Sequence, residues 1–277
     1  METRQYINRP IKMDFHVHTN YSPDSTAKME SMIEAAIKNN ITDLAITDHV
    51  DLDADLEGTA LDWNFDRNQF EREILRYKDL YRHKINLYQG LELGIQPHLA
   101  SENTKIVREN TYDFVIASIH SVERRDLYNK KFFNAHSDRN SVSIYYKEML
   151  ESIRAFDDYS VLGHMDLYLR YKPELSKVAE TEYLEIVDEI FKHLIYNGKG
   201  LEINAGGYRY GLGHNNPNER LLKRYRELKG EILTIGSDAH TPERVGTMAQ
   251  ENIELMRNIG FKYICTFEQM KPIFHKI

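Results

Sequence analysis

The stretch Asp43-Leu44-Ala45-Ile46-Thr47-Asp48-His49 contains the pattern that decides the fold of this chain. It begins as an apolar run of the length of a buried strand and ends on polar, ionisable residues. Comparable short runs recur along the whole chain, at residues 11–17, 43–47, 87–95, 114–119, 160–163, 200–204, 232–236 and 263–267. Such runs are typical of parallel strands that are covered on both faces. The sequence therefore predicts seven or eight buried strands.

Helical periodicity separates most of these strands. Apolar residues recur at three- and four-residue spacing over residues 29–37 and again over residues 183–195. Alternating strands and helices indicate a parallel α/β architecture. Because the strands are spread over the whole chain, a closed (β/α) barrel is favoured over an open doubly wound sheet.

The bulk composition is that of a globular protein. With 277 residues, of which 41% are hydrophobic and 29% charged, the chain can fill one large core, so we expect a single domain over residues 1–277. No segment approaches the roughly 20 apolar residues that span a bilayer, and the first ten residues lack a secretory pattern. A cytoplasmic location is predicted.

The charge balance and the single cysteine limit the partners. A net charge of −7 opposes attraction to nucleic acid or to an anionic membrane, so we expect neither as a partner. Cys265 alone cannot form an internal disulfide, and any metal site must use nitrogen and oxygen ligands. The acidic residues 51–62 are interpreted either as a solvated loop or as a flap beside a site.

Ionisable residues are concentrated where the predicted strands end. Six histidines share this placement: His16, His18, His49, His120, His164 and His240. The active sites of such barrels form at this end. An isolated histidine is more often a core or surface residue, but packing alone would choose Val, Ile and Leu at these positions. The joint placement therefore favours a metal site.

The spacing within the cluster supports this interpretation. His16 and His18 are two residues apart on an extended segment, so their imidazoles project from the same face, and Asp238 and His240 repeat this spacing. Glu92 lies in an apolar strand, where an unpaired buried carboxylate costs several kcal/mol, so a cation is its expected partner. The other histidines are predicted to lie at the surface: His83, His98, His136, His193, His214 and His275.

The segments around these residues resemble the polymerase and histidinol phosphatase (PHP) superfamily. The resemblance spans nearly the full chain, through Asp14-Phe15-His16-Val17-His18-Thr19, Ile46-Thr47-Asp48-His49, Gly90-Leu91-Glu92, Ser118-Ile119-His120, Leu162-Gly163-His164-Met165-Asp166 and Gly236-Ser237-Asp238-Ala239-His240. It implies a distorted (β/α)7 barrel with a site for two to three divalent metal ions. Zn, Mn and Fe all suit such ligands.

The resemblance also implies which residues hold each metal ion. The expected ligands are His16, His18, Glu92 and Asp238 for the first ion, Glu92, His120 and His164 for the second, and Asp24, His49 and His240 for the third. Glu92 would bridge the first two ions. The family often has a histidine where this chain has Asp24, whose alternative interpretation is a turn residue after Pro23.

Two further segments, residues 21–24 and 201–209, resemble the single-domain histidinol-phosphatase group. The implied activity is the hydrolysis of L-histidinol phosphate, a small phosphate monoester, in histidine synthesis. Alternatives are another ester, such as a phosphotyrosine or a nucleotide, a nuclease, and a noncatalytic metal-binding module. A nuclease should have a basic track, whereas residues 223–226 have the pattern of a solvated helix face.

For such a hydrolysis we expect a hydroxide between the first two metal ions to attack phosphorus in line, without a phosphoenzyme. Arg209 and Arg170 are the predicted phosphate-binding residues, because guanidinium groups match phosphate oxygens, and Arg244 is a weaker candidate. Asp238 or His240 is expected to protonate the leaving alkoxide.

The aspartates next to two of the ligand histidines are also candidates for a role in the site. Asp48 precedes His49, and Asp166 follows His164 by two residues. Carboxylates beside ligand histidines commonly accept a hydrogen bond from the imidazole. Asp48 and Asp166 are therefore expected to orient imidazoles.

Overall fold

A computed structural model describes residues 5–52 and 63–277 of the chain. The strands are β1 Gln5–Ile7, β2 Met13–Asp14, β3 Asp43–Ile46, β4 His49–Val50, β5 Asn86–Gly94, β6 Phe114–Ser118, β7 Ser121–Val122, β8 Arg125–Asp126, β9 Val161–Leu162, β10 Gly200–Asn204, β11 Leu233–Gly236, β12 Tyr263–Glu268 and β13 Lys271–Lys276. The helices are α1 Met29–Lys38, α2 Arg67–Tyr81, α3 Ala100–Arg108, α4 Lys131–Ala135, α5 Asp138–Ala155, α6 Tyr168–Tyr171, α7 Leu184–Tyr196, α8 Gly206–Arg209, α9 Glu219–Glu227 and α10 Ala249–Ile259. Short 3-10 turns lie at Pro97–Leu99, Pro173–Lys177, Glu180–Glu182 and Pro242–Arg244.

Seven parallel strands form the central barrel, in the order β2-β3-β5-β6-β9-β10-β11. The first and last of these strands meet at a seam, where the backbone N–H of Phe15 donates to the carbonyl of Ile235 at 2.8 Å and that of His18 donates to Ala239 at 2.9 Å. The side chain of Asp14 also crosses the seam and accepts hydrogen bonds from the backbone N–H and the hydroxyl of Ser237. The predicted distorted (β/α)7 barrel is confirmed.

The helices cover the barrel through their apolar faces. On α7, Val187, Ile190, Phe191 and Leu194 are buried at the spacing of one helix face, and α1 buries Met29, Met32, Ile33 and Ala36 in the same manner. The two periodic stretches in the sequence therefore form the helices that they predict.

The run at residues 263–267 lies outside the barrel. It forms β12, which pairs in antiparallel fashion with β13, and β13 pairs in parallel with β1. This hairpin also corrects the prediction for His275, which is fully buried on β13 with its Nε2 2.8 Å from the hydroxyl of Thr266. His275 is therefore a core residue, because its ring faces the neighbouring strand.

Two other predictions can be compared with the structure only over the described residues. Most of the acidic stretch at residues 51–62 lies outside them, although Asp51 is described. Within residues 5–52 and 63–277, no helix combines the length and the apolar character needed to cross a bilayer.

Candidate metal centre

The nine predicted ligands form one continuous cluster at the C-terminal end of the barrel strands. Each lies within 4 Å of another member of the set, which comprises His16, His18, Asp24, His49, Glu92, His120, His164, Asp238 and His240. They come from both ends of the sequence because the seam between β2 and β11 brings residues 16–18 beside residues 238–240. The sequence therefore identified a real spatial cluster.

Glu92 lies at the centre of this cluster. Its Oε1 is 2.8 Å from His164 Nε2 and 3.2 Å from His120 Nε2, whereas its Oε2 is 2.8 Å from His16 Nε2 and 3.4 Å from His18 Nε2. His49 Nδ1 also lies 3.1 Å from Oε2. The two oxygens therefore face different sets of imidazoles. This is the arrangement that a carboxylate needs in order to bridge two cations.

Asp238 faces the imidazoles of His16, His18 and His240. Its Oδ1 is 3.5 Å from His18 Nε2 and 3.6 Å from His240 Nδ1. The backbone of Asp238 has φ of 57°, a left-handed conformation that is uncommon for a non-glycine residue and that often marks a functional site. The seam supports this conformation, since the backbone N–H of Asp238 donates to the carbonyl of His16 at 2.9 Å.

Asp24 joins the cluster on its more exposed side. Its Oδ2 is 2.9 Å from His240 Nε2 and 3.8 Å from His49 Nε2. His49 also reaches Glu92, with 3.1 Å between its Nδ1 and Oε2 of the carboxylate. The three residues expected at a third metal ion are therefore adjacent, and His49 also contacts Glu92.

The donor set fits divalent cations. His18 Nε2 and His164 Nδ1 are buried and have no hydrogen-bond partner among the described residues. Burial and the charges of His240 and His49 hold the pKa of His18 well below its usual value, which keeps the imidazole neutral as a ligand must be. Burial alone would raise the pKa of Glu92, but the neighbouring imidazoles hold it well below the usual range. Imidazole nitrogens around an ionised carboxylate are ligands that suit Zn, Mn and Fe, and a bound cation would displace any ring protons.

Two carboxylates that the sequence analysis did not select contact the imidazoles. Glu202 Oε1 is 2.6 Å from His16 Nδ1, and its Oε2 accepts the backbone N–H of His164 at 2.9 Å. Asp51 Oδ1 is 2.8 Å from His120 Nδ1. In both histidines the other ring nitrogen faces Glu92, so each carboxylate fixes the ring orientation of a candidate ligand.

Asp48 has a less direct connection to the imidazoles than predicted. It accepts hydrogen bonds from Thr19 and from the hydroxyl of Ser22, which is 3.2 Å from His18 Nδ1. Asp48 therefore reaches an imidazole only through Ser22, because its own oxygens are directed at neighbouring hydroxyl and amide groups.

Asp166 has a different partner from the one predicted. It accepts hydrogen bonds from the Nδ2 of Asn216 at 2.6 Å and from the backbone of Asn218 at 3.0 Å. Asn216 in turn accepts a hydrogen bond from Arg170 Nε at 3.2 Å. The prediction that Asp166 orients an imidazole is wrong, since its contacts support an arginine.

Both predicted arginines lie beside Asp238. Arg170 is buried and donates from Nη1 to Asp238 Oδ2 at 2.7 Å and from Nη2 to Asn204 Oδ1 at 2.7 Å. Arg209 donates from Nη1 to the carbonyl of Asp238 at 2.8 Å, and its Nη2 is 3.6 Å from Asp238 Oδ2. Arg244 is exposed and does not line the cavity described next. Positive charge therefore lies directly beside the ligand cluster, although the chain as a whole is acidic.

A cavity of about 650 Å³ opens over the cluster and both arginines. Among the described residues, its wall beyond the ligands includes Trp63, Asp126, Tyr128, Lys131 and Tyr171. The sequence analysis did not select any of these five residues. All five carry aromatic or charged side chains. The cavity that they line has the size of a small-molecule binding site.

A family model of the PHP domain matches residues 14–206, which is more than half of the chain. The chain belongs to the PHP domain family. The predicted family is thereby confirmed. Five of the six strand-end histidines lie within the matched range, and His240 lies beyond it.

The chain is also similar to individual proteins over almost its full length. It is 28% identical to the histidinol-phosphatase of Lactococcus lactis subsp. lactis, over 94% of this chain and 96% of that protein. It is 29% identical to a protein of Clostridium acetobutylicum named probable histidinol-phosphatase, over 90% of this chain and 94% of that protein.

Solved structures extend this similarity to the fold. The L. lactis histidinol phosphate phosphatase, crystallised with Zn, L-histidinol and phosphate, matches with a TM-score of 0.84 at 27% identity and covers 94% of this chain and 98% of its own. A Listeria monocytogenes protein matches with a TM-score of 0.75 at 18% identity, over 87% of this chain and 99% of that one, and supports the fold alone.

Proposed function

We propose that this chain hydrolyses L-histidinol phosphate to L-histidinol and inorganic phosphate. One observation carries the proposal: a cluster of metal ligands and two arginines share the carboxylate of Asp238 at the floor of one cavity. Phosphate monoesters need both features, because their hydrolysis is very slow unless the anionic phosphoryl group is neutralised. The L. lactis protein, whose structure contains L-histidinol and phosphate, supports the choice of substrate.

The proposed metal ligands are the nine residues of the cluster, in the three groups that the resemblance to the PHP superfamily implies. Divalent ions held there would supply a Lewis acid and an activated water at neutral pH. Zn is supported by the L. lactis structure, and Mn and Fe suit the same ligands. We propose two ions around Glu92 and a third beside Asp24.

The arginines of this chain would bind the phosphoryl group. Arg170 has all three of its guanidinium nitrogens committed, to Asn216, Asp238 and Asn204, which fixes the direction of the remaining N–H groups. Arg209 is more accessible, with 23% of its side chain exposed. We propose Arg170 as the fixed and Arg209 as the adjustable phosphate ligand. His240 lines the cavity beside them and remains the proposed donor of a proton to the leaving alkoxide. Against the effect of burial, Arg170 and His16 hold the pKa of Asp238 well below its usual value, so Asp238, the alternative donor, would first have to gain a proton.

The remainder of the cavity fits the leaving group. L-Histidinol carries an amino group and an imidazole, both of which are cationic or hydrogen-bonding near neutral pH. Asp126, at the end of β8, is a buried carboxylate that lines the cavity with the rings of Tyr128 and Tyr171. A carboxylate suits an ammonium or imidazolium group, whereas a nucleotide or a phosphotyrosine peptide would bring further negative charge.

We also propose that residues 1–277 form a single catalytic domain. The C-terminal hairpin supports this organisation, because Ile264, Phe267 and Phe274 belong to the same buried hydrophobic cluster as the barrel strands. The cytoplasmic location and the absence of nucleic-acid and membrane partners remain predictions.

The test is phosphate release by protein reconstituted separately with Zn, Mn and Fe. L-Histidinol phosphate is compared with a phosphotyrosine peptide, a nucleoside monophosphate and a phosphodiester, and a chelated sample serves as the control. We expect a strong preference for L-histidinol phosphate that chelation abolishes. Activity on another ester alone would retain the metal site and reject the proposed substrate.

A further inference from the structure

The ring of Tyr210 lies against both candidate phosphate-binding arginines. Its centroid is 5.1 Å from Arg170 Cζ and 4.9 Å from Arg209 Cζ. Both distances are within the range of cation–π contacts, in which a cation is attracted to the negative face of an aromatic ring. Tyr210 directly follows α8, is 47% exposed and lines the cavity. A single half-exposed side chain therefore contacts both candidate phosphate-binding arginines.

The charges around these arginines explain why such a contact matters. Asp238 Oδ2 is 2.7 Å from Arg170 Nη1 and 3.6 Å from Arg209 Nη2, so two guanidinium groups share one carboxylate oxygen. Two adjacent guanidinium groups suit a phosphate dianion, but they repel each other before the ligand arrives. An aromatic face beside both groups reduces this cost without adding a negative charge that would repel phosphate.

We propose that Tyr210 is a positioning residue for phosphate binding, which holds Arg170 and Arg209 together through the face of its ring. The proposal rests on the proposed function only in that the two arginines bind the phosphoryl group. The hydroxyl contributes little, since its nearest arginine contact, from Arg209 Nη2, is a long 3.5 Å. The ring face is therefore the part of the side chain that matters.

Tyr208 provides a matched control on the same segment. It is 39% exposed, close to the exposure of Tyr210, but it is not among the described residues that line the cavity. A substitution at Tyr208 removes an equally large tyrosine of similar exposure but leaves both cation–π contacts of Tyr210 in place. General effects of losing a surface tyrosine from this loop can thus be separated from the proposed role.

The experiment measures the binding of inorganic phosphate to the metal-loaded protein by titration calorimetry. For Tyr210→Leu we expect phosphate affinity to fall roughly five- to twentyfold, the loss of two cation–π contacts, with metal content unchanged. Tyr210→Phe keeps the ring face and should stay within about twofold of the wild type, as should Tyr208→Leu. With a substrate that the protein hydrolyses, the KM of Tyr210→Leu should rise by a factor similar to the loss of phosphate affinity, while kcat changes less.

Two results would overturn the proposal. Unchanged phosphate affinity in Tyr210→Leu would show that the ring does not support the arginines. An equal loss in Tyr210→Phe and Tyr210→Leu would assign the effect to the hydroxyl. Neither readout needs L-histidinol phosphate, so a failure of the proposed substrate, seen in the hydrolysis comparison, is distinguishable from a failure of this inference.

Discussion

Two buried carboxylates at opposite ends of the barrel have contrasting surroundings. Asp43, the first residue of β3, accepts hydrogen bonds from both terminal nitrogens of Arg9, from the hydroxyl of Thr42 at 2.7 Å and from that of Tyr88 at 2.9 Å. Glu92, near the end of β5, faces imidazole nitrogens instead, with a single hydroxyl donor at Ser118. The first carboxylate is satisfied by the chain itself.

This difference separates a structural charge from a functional one. Both residues are ionisable side chains within apolar strands, and the argument that Glu92 needs a cation applies equally to Asp43. For Asp43 the cation is the guanidinium of Arg9, which anchors the N-terminal segment to the bottom of the barrel. For Glu92 the neighbouring groups are the candidate metal ligands, and we propose that a cation from solution balances its charge.

Replacing Glu92 should give the largest effect. In Glu92→Gln we expect metal content to fall and turnover to drop by more than about 100-fold, because an amide cannot bridge two cations as a carboxylate does. Metal analysis by mass spectrometry and phosphate release, measured on the same preparation, test both effects. Full metal content with wild-type turnover would show that Glu92 does not bridge.

Replacing Glu202 should have a smaller effect through His16. Glu202→Gln keeps the shape of the side chain but weakens its 2.6 Å contact with His16 Nδ1, and we expect a loss of roughly 10–100-fold in metal affinity or activity. Competition with a chromogenic chelator measures the affinity. An unchanged metal affinity and rate would mean that His16 is held by its other contacts alone.

Replacing Asp43 should leave the metal site intact and reduce stability. Asp43→Asn places an amide among donors that need an acceptor, which costs about 1–3 kcal/mol in the free energy of unfolding. Urea denaturation of the metal-free protein measures this cost, and turnover per bound metal should equal that of the wild type. A loss of bound metal in this variant would contradict the separation between the two ends of the barrel.

At acid pH, the stability that Asp43 provides relative to asparagine should be lost. Burial alone would raise the pKa of Asp43, but the hydrogen bonds from Arg9 and Thr42 lower it below its usual value. Its contribution to stability is therefore complete above the ordinary aspartate pKa of about 3.9 and is lost as the pH falls through the lower folded value. The difference in unfolding free energy between wild type and Asp43→Asn should be largest near neutral pH and should shrink towards pH 3. A difference that is independent of pH would indicate that the charge of Asp43 is immaterial.

The barrel was predictable because its strands are buried on both faces and leave uninterrupted apolar runs. The C-terminal hairpin was not predictable in the same manner. Its turn has Gln269 at φ 49° and Met270 at φ 62°, conformations that Asn-Gly or Gly-Gly normally signals. Without such residues, nothing local distinguishes β12 from a further barrel strand, and the burial of His275 follows from this pairing.

The candidate ligands were predictable because they follow the strand ends, whereas their supporting residues were less visible. Glu202 has the same signal as Glu92, an acidic residue in an apolar strand, and that signal could have identified it. Asp51 lies in a run of acidic residues, where no single carboxylate stands out. Asp126 and Tyr210 lie on connections whose direction depends on the folded chain.

The seam between β2 and β11 also sets an order for the assembly of the site. Asp14 and Ser237, which hydrogen-bond across it, are 223 residues apart in the chain. During synthesis, the ribosome has released Glu92, His120 and His164 well before Asp238 exists, so the second group of ligands precedes the first. A cation bound across the seam would also connect the first and last strands of the barrel. It would raise the free energy of unfolding, as any ligand does that binds only the folded chain. Metal supply would then add to the stability of a barrel that the hydrogen bonds of the seam already close.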